Sequence, residues 1–442
     1  MTGYLDRLFR LRERNTSVRT EILAGVTTFL TMAYIVVVNP AILQPTGMPI
    51  AAVAAATCLS AFIACVLMGL LANVPIALAP GMGLNAYFTY TVVIGMHVPW
   101  QTALGCVFLS GVAFLLLTFA GIRQLIVQAI PRQLFAAVAA GIGLFLAFIG
   151  LHAAGIVVAH PATLVALGDL SAPPTMVAVL TLLLTMVLQA WRVRGAILIG
   201  ILVGTAAGWA AGLIPPQRAA YDLTAMSATA FHLDVASALQ IGGGIGVGLV
   251  EIFFVFLFVD LFDNVGTLVA VTKRAGLTNP DGSIPSLRRI LFADSAATIV
   301  GSLAGTSTVV SYVESASGIA AGGRTGLTAL VTGLLFLVAL FAAPLVTAIP
   351  IAATAPALII VGGMMLGALA EIDWNDPEIG IPAFLTLIMI PLSFSIANGL
   401  SFGITTYALL RIARGKAQRS EWLLYVLALL FVVRFVYLTA GA

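Results

Sequence analysis

Charge is what this chain has least of: 8% of its 442 residues are Asp, Glu, Lys or Arg, where a soluble domain carries about 25%. With 61% hydrophobic residues and a mean hydropathy of +1.12, a water-soluble globular fold is excluded and a polytopic integral membrane protein is expected. The lipid bilayer is then its first partner. Cysteine is scarce, and Cys58, Cys65 and Cys106 sit in apolar runs without metal-ligand spacing, so they read as packing residues. No metal site, cofactor site or nucleophilic triad is visible, and an enzyme is not expected. The four histidines (His97, His152, His160, His232) lie outside the segments singled out below, which leaves no histidine relay. The formal net charge is only +3, and without a basic patch nothing suggests nucleic acid. The opening residues carry Arg7, Arg10, Arg12, Arg14 and Arg19 but no short apolar core followed by a small-residue cleavage site. No cleaved signal peptide is expected, and the arginines read as topology signals.

Apolar runs of spanning length fall at about 20–43, 51–71, 73–93, 102–120, 134–156, 174–191 and 195–214. After a polar stretch at about 215–242, further segments fall at about 244–272, 290–303, the more polar 305–326, 327–347 and 351–369, followed by two short runs at about 381–396 and 400–410. That makes fourteen. Alternation from a cytoplasmic N-terminus places Arg123 and Arg132, Arg192 and Arg194, Lys273 and Arg274, Arg324, and the cluster Arg411, Arg414, Lys416 and Arg419 all on the cytoplasmic side. The last hydrophobic run, 422–442, is interrupted by Arg434 and is expected along the membrane or against the bundle, with a fifteenth span as the alternative.

Two of the fourteen segments have the wrong composition for an ordinary membrane helix. Segment 10, GTSTVVSYVESASGIAAGGRTG, runs from residues suited to extended backbone (Thr306, Val309, Val310) through the carboxylate Glu314 to small residues suited to close packing. Segment 3, NVPIALAPGMGLNAYFTYTVV, opens on two prolines and a Gly81-Met82-Gly83 turn. Each predicts a short strand followed by a half-helix, and irregular backbone at membrane depth survives only where it is buried in protein or lines a cavity. Each is third among seven, and seven is odd, so the halves are expected to be inverted repeats with a binding site near the midplane between them. Asn39 and Asn264 fall at similar depth in the two halves, and Ile130-Pro131 echoes Ile349-Pro350.

A carboxylate at the centre of a span costs about 2.5 to 3.5 kcal/mol on insertion scales, so intramembrane acids mark candidate function. Asp260, Asp263 and Thr267 share one face of segment 8, whereas Glu251 points roughly opposite and reads as interfacial. Asp260 and Asp263 are expected to line the cavity, the alternative being that one pairs with a buried polar group to fix the helix. Glu314 is expected either to accept hydrogen bonds as an anion or to carry a proton, the alternative being a helix cap. Asn85 can donate and accept, which suits a neutral heterocycle, with capping an equal alternative. Tyr87, Phe88 and Tyr312 suit either stacking on a flat ring or packing. Asp294 and the group Glu371, Asp373, Asp376 and Glu378 read as structural pairing and a cytoplasmic loop.

Four separated stretches, TTFLTMAYIVVVNPAIL, APGMGLNAYFTY, VDLFDNVGTLVAV and GTSTVVSYVESASGIAAGGRTG, resemble in order the signatures of the AzgA-like adenine, guanine and hypoxanthine permeases of the nucleobase–ascorbate transporter superfamily. The resemblance implies an all-α integral membrane fold of fourteen segments in two inverted seven-span repeats. It implies a core domain from segments 1–4 and 8–11 (residues 1–122 and 243–347) and a gate domain from segments 5–7 and 12–14 (residues 123–242 and 348–442). A homodimer and an elevator-like motion are also implied. By motif, the acidic binding residue of segment 8 falls on Asp263, the segment 10 carboxylate on Glu314 and the segment 3 polar residue on Asn85. Where the uracil and xanthine branches often carry histidine one turn after the segment 8 acid, this chain has Thr267.

The expected function is import of purine nucleobases by proton symport across a plasma membrane, the inner membrane if the source is bacterial. Asp263 and Glu314 would accept hydrogen bonds from the base, helped by Asn85, Asp260, Tyr312, Phe88 and Thr267. Asp260, Asp263 and Glu314 are the candidate proton carriers. An inorganic anion carrier on the same architecture is the alternative, disfavoured by acids in the cavity. A receptor or membrane enzyme is more remote.

Overall fold

The computed structural model describes residues 2–120, 131–213, 227–239, scattered positions between 252 and 284, 286–418 and 421–440. Among them, seven helices are long and apolar enough to cross a membrane. The expected segments follow in order. Segments 1 and 2 are Val18–Met32 with Ile35–Leu43 and Ile50–Leu67. Segment 4 is Trp100–Phe119, segment 5 Arg132–Ala153, segment 6 Pro173–Ala190 and segment 7 Ala196–Ala210. Described positions of segment 8 between 252 and 272 are helical. Segment 9 is Leu287–Ala304, and segment 11 is Gly326–Ala339 extended by the 3-10 turn Leu340–Ala348. Segments 12 to 14 are Ile351–Met365, Pro377–Leu392 and Ile396–Ala413. The chain is thus an all-α integral membrane protein of two inverted seven-segment repeats, with short strands only in its discontinuous segments and one surface hairpin among the described residues.

Segments 3 and 10 meet. Strand β1, Leu78–Pro80, pairs antiparallel with β4, Val309–Ser311, with Leu78 opposite Ser311 and Pro80 opposite Val309. Each strand begins the interrupted segment of its own repeat, so the pair joins the two repeats through backbone hydrogen bonds. Neighbouring bonds extend the join: Gly81 N–H donates to Thr308 O at 2.9 Å and Tyr312 N–H to Ala77 O at 3.0 Å. Both strands are fully buried, which meets the requirement that irregular backbone in a bilayer be covered by protein. Gly305, at φ +92°, ends segment 9 in the left-handed conformation and lets the chain turn directly into β4.

Three local features depart from a plain reading of the apolar runs. Segment 1 is two helices, broken at Ala33 and Tyr34, where Val36 N–H bonds back to Ala33 O and Val37 N–H to Tyr34 O. The end of segment 2, Met68–Ala72, and the last part of segment 3, Tyr87–Gly95, are wound as π-helix, a form concentrated at functional sites. A hairpin follows segment 5, with β2, Val157–His160, pairing antiparallel with β3, Leu164–Leu167. His160 closes its turn, its Nδ1 accepting from the amides of Ala162 and Thr163 at 3.3 Å each.

Packing falls into two groups. Segments 9 and 11 pack on segment 2, segment 9 also on segment 4, and segment 11 on segment 1. Segments 12 and 13 pack on segment 5, segment 14 on segment 13, and segment 7 on segments 6 and 12. The terminal helix Trp422–Ala440 lies against segment 14. Their ends are tied by ion pairs: the buried Glu378 carboxylate meets Arg411 at 3.0 Å, Arg414 at 2.9 Å and Lys416 at 3.2 Å, and Arg411 also meets Glu421 at 2.5 Å. Glu378 is therefore a paired acid, as expected for this group.

Candidate substrate site at the crossing of the two repeats

Beyond β4 the chain turns at Tyr312–Glu314 into the half-helix Ser315–Ala320. Glu314 occupies the N-cap position, but its side chain makes no capping hydrogen bond. Instead Oε1 accepts a 2.7 Å hydrogen bond from the Tyr34 hydroxyl. Tyr34 stands at the break in segment 1 and is 1% exposed, whereas Glu314 is half-buried and its neighbour Val313 is 51% exposed. The acid is thus held through one oxygen and is less buried than the tyrosine that holds it.

The rest of this half-helix is held by the same face of segment 1. Thr31 Oγ1 lies 2.9 Å from Ser317 Oγ. Gly318 packs where a Cβ would lie 2.1 Å from Thr28 Oγ1 and 2.7 Å from Ala24 O, an approach only glycine allows. Glu21, fully buried, accepts from Arg324 N–H at 2.9 Å, Thr325 N–H at 3.2 Å and the Thr328 hydroxyl at 2.6 Å. Residues 21, 24, 28 and 31 form one helical stripe. Together with Tyr34, that stripe runs antiparallel to segment 10 along its length.

Segment 1 also reaches segment 3. Asn39 donates through Nδ2 to Thr57 Oγ1 at 2.7 Å and to Thr306 Oγ1 at 2.9 Å, and its Oδ1 accepts from Asn85 Nδ2. In the other repeat, Asn264 of segment 8 accepts from Ser311 N–H at 3.3 Å and donates to Asp294 Oδ1 of segment 9. The equal depth of Asn39 and Asn264 in the sequence is thus a shared task. Each ties the first helix of its repeat to the second helix and to the β4 region.

The candidate residues are distributed around this crossing. Asp260 is fully buried on segment 8, on the stripe that carries Asn264 and the half-buried Thr267. Asp263 and Glu251 lie outside the described residues. Asn85 is fully buried at the start of the segment 3 half-helix, with its Nδ2 committed to Asn39 and its Oδ1 unmet by any hydrogen-bond donor among the described residues. Tyr312 is 5% exposed and its hydroxyl donates to Pro80 O at 2.5 Å, bracing the strands. Phe88 is fully buried and, with Tyr87, packs on Phe256 at centroid distances of 6.4 and 5.4 Å. Glu314 and Asn85 are thus each bonded to segment 1, through Tyr34 and Asn39 respectively, while Tyr312 is bonded to Pro80 at the paired strands and Phe88 packs on Phe256. Tyr34 and Thr57, and Glu21 at the far end of segment 10, are residues that sequence reasoning does not single out.

A family model described as "Permease family" matches residues 19–433. The chain belongs to that family. Among relatives of the permease, one from Methanocaldococcus jannaschii named only as a permease is 48% identical over 437 residues, covering 99% of both chains. The guanine/hypoxanthine permease PbuG of Bacillus subtilis is 42% identical, covering 98% of this chain and 100% of its own length. The adenine permease AdeP of Escherichia coli is 41% identical, covering 99% and 97%. Among solved structures, the transmembrane domain of the cyanobacterial bicarbonate transporter BicA superposes with a TM-score of 0.62 at 17% identity, covering 93% of the permease and 97% of that domain. That likeness concerns the fold.

Proposed function

We propose that this permease imports purine nucleobases in symport with protons. The observation that carries the reading is the anchored carboxylate: Glu314, held by Tyr34 through one oxygen and only partly buried, sits where both repeats contribute polar groups to one buried crossing. Such a constellation suits a flat neutral ligand rich in N–H donors. A site that hydrogen-bonds its ligand also rejects analogues lacking the matching group, by factors that reach about 10⁴ or more. Full-length relatives named for adenine and for guanine with hypoxanthine support the purine class, and their near-equal identities of 41% and 42% favour neither base.

Coupling would be carried by a carboxylate proton on Asp260, Asp263 or Glu314, since no histidine lies among the described residues of the crossing. Alternating access would move a core of segments 1–4 and 8–11 against a gate of segments 5–7 and 12–14 in an elevator-like motion, a division supported by the two packing groups. The N-terminus would be cytoplasmic, the membrane the plasma membrane and the working form a homodimer. Arg14 Nη1 donates to Arg324 O at 2.9 Å, which supports placing the N-terminal arginines and Arg324 on one side.

A second reading, an inorganic anion carrier, is favoured only by the fold shared with the bicarbonate transporter. Acids at the crossing repel anions. Uptake of labelled adenine, guanine and hypoxanthine into cells lacking their own purine carriers, at two pH values and with an uncoupler, tests both. Accumulation that rises at lower external pH and collapses with the uncoupler is expected. Uptake of bicarbonate or sulfate without purine uptake would overturn the proposal.

A further inference from the structure

Asn85 is an amide whose orientation is dictated two residues away. The chain of constraint starts at Thr57, whose hydroxyl donates its single proton to Val53 O at 2.6 Å. Thr57 Oγ1 can then only accept from Asn39, so Asn39 must present Nδ2 to it, at 2.7 Å. The same amide group donates to Thr306 Oγ1 at 2.9 Å. Asn39 Oδ1 is thereby turned to Asn85, and a carbonyl facing a carbonyl is repulsive, so Asn85 must present its own Nδ2. Asn85 Oδ1 is left pointing away, in a fully buried residue, with no donor among the described residues reaching it. Buried acceptors are nearly always met.

We infer that Thr57 and Asn39 are positioning residues that hold Asn85 as an acceptor toward the ligand, and so set which hydrogen-bonding edge of the base the permease reads. The inference rests on the purine reading of the site. Neither Thr57 nor Asn39 touches the ligand. Thr57 works through Asn39, and Asn39 through Asn85. The device is directional. If Thr57 lost its hydroxyl, Thr306 could donate to Asn39 Oδ1, the Asn39 amide could turn over, and Asn85 would turn with it to present Nδ2. An acceptor would become a donor with no change in any residue that meets the ligand.

The test is the rank order of bases, not the level of uptake. Inhibition constants are measured for adenine, hypoxanthine, guanine and 7-deazahypoxanthine against labelled substrate in the full-length protein, Thr57→Val and Thr57→Ser. Adenine and hypoxanthine exchange donor and acceptor at positions 1 and 6, guanine adds a donor at position 2, and the deaza compound removes the acceptor at position 7. Thr57→Val, which keeps the shape and removes the hydroxyl, is expected to shift the ratio for at least one pair by roughly tenfold or more, the scale of one buried group left unpaired. Thr57→Ser is expected to restore the original ratios. A single common factor for all four bases in Thr57→Val would overturn the inference, since it would mean that Asn85 Oδ1 is met by an ordered water instead. Should Thr57→Val fail to reach the membrane, Asn39→Ser, which frees the Asn85 amide to turn, replaces it in the same ratio measurement, with a shifted ratio again expected and a common factor again overturning the inference. An unmodified protein that takes up no purine would instead remove the underlying purine reading.

Discussion

Tyr34 and Glu314 lie 280 residues apart in the chain and 2.7 Å apart in space, the tyrosine hydroxyl donating to the carboxylate Oε1. The bond joins the break in segment 1 to the start of the segment 10 half-helix, and so fixes an intramembrane acid at the place where the two repeats cross. Tyr34→Phe removes the donor and leaves the ring. A hydrogen bond to a charged group is worth about 1.5 to 3 kcal/mol, so KM for the transported base is expected to rise by about tenfold or more, with membrane abundance unchanged. Kinetics of uptake normalised to protein in the membrane check this, and an unaltered KM would remove Tyr34 from the site.

Gly318 lets the half-helix approach segment 1 at Ala24 and Thr28. Gly318→Ala places a methyl carbon 2.1 Å from Thr28 Oγ1, and overpacking of this kind costs about 1 to 3 kcal/mol. The expected result is a lower melting temperature of the detergent-solubilised protein together with reduced uptake, because the helix bearing Glu314 is displaced. Gly318→Ala combined with Thr28→Ala should recover part of both. A double variant no better than the single one would show that the close approach is not the cause.

Glu21 is a buried acid with a structural task, receiving two backbone amides and the Thr328 hydroxyl. Glu21→Leu leaves both backbone amides unmet and the Thr328 hydroxyl with only the Glu21 backbone oxygen at 3.4 Å, at about 1 to 3 kcal/mol for each unmet buried group, and should leave little folded protein. Glu21→Gln keeps one good acceptor and should fold with intermediate stability. Thermal unfolding followed by size-exclusion chromatography distinguishes these, and equal stability of Glu21→Leu and the unmodified protein would contradict the assigned role.

The discontinuous segments are legible in the sequence because their composition conflicts with lipid. Pro75, Pro80 and the glycines of segment 3, and the β-branched and polar residues of segment 10, mark backbone that cannot be plain membrane helix. Glu314 is legible as a charged residue at depth, and the matched Asn39 and Asn264 as an echo between repeats. Tyr34 is not, since a tyrosine inside an apolar run has the signature of packing and its partner is 280 residues away. Glu21 sits among the polar residues that open segment 1 and reads as a solvated flank, although it is fully buried. The Val157–Leu167 hairpin is hidden because its short apolar run continues that of segment 5. Burial and long-range pairing decide these cases, and neither is written in local periodicity.

Binding of a purine through Glu314 at the crossing of the two repeats is measured without interference from metabolism by counterflow in proteoliposomes. Vesicles loaded with unlabelled hypoxanthine or adenine are diluted into a trace of the labelled base, beside vesicles loaded with bicarbonate. Transient accumulation of label is expected only with purine inside, and it should be lost in Glu314→Gln, which keeps an acceptor for Tyr34 but removes the charge. Counterflow by Glu314→Gln at the rate of the unmodified protein, or exchange driven by bicarbonate, would contradict purine binding through this acid.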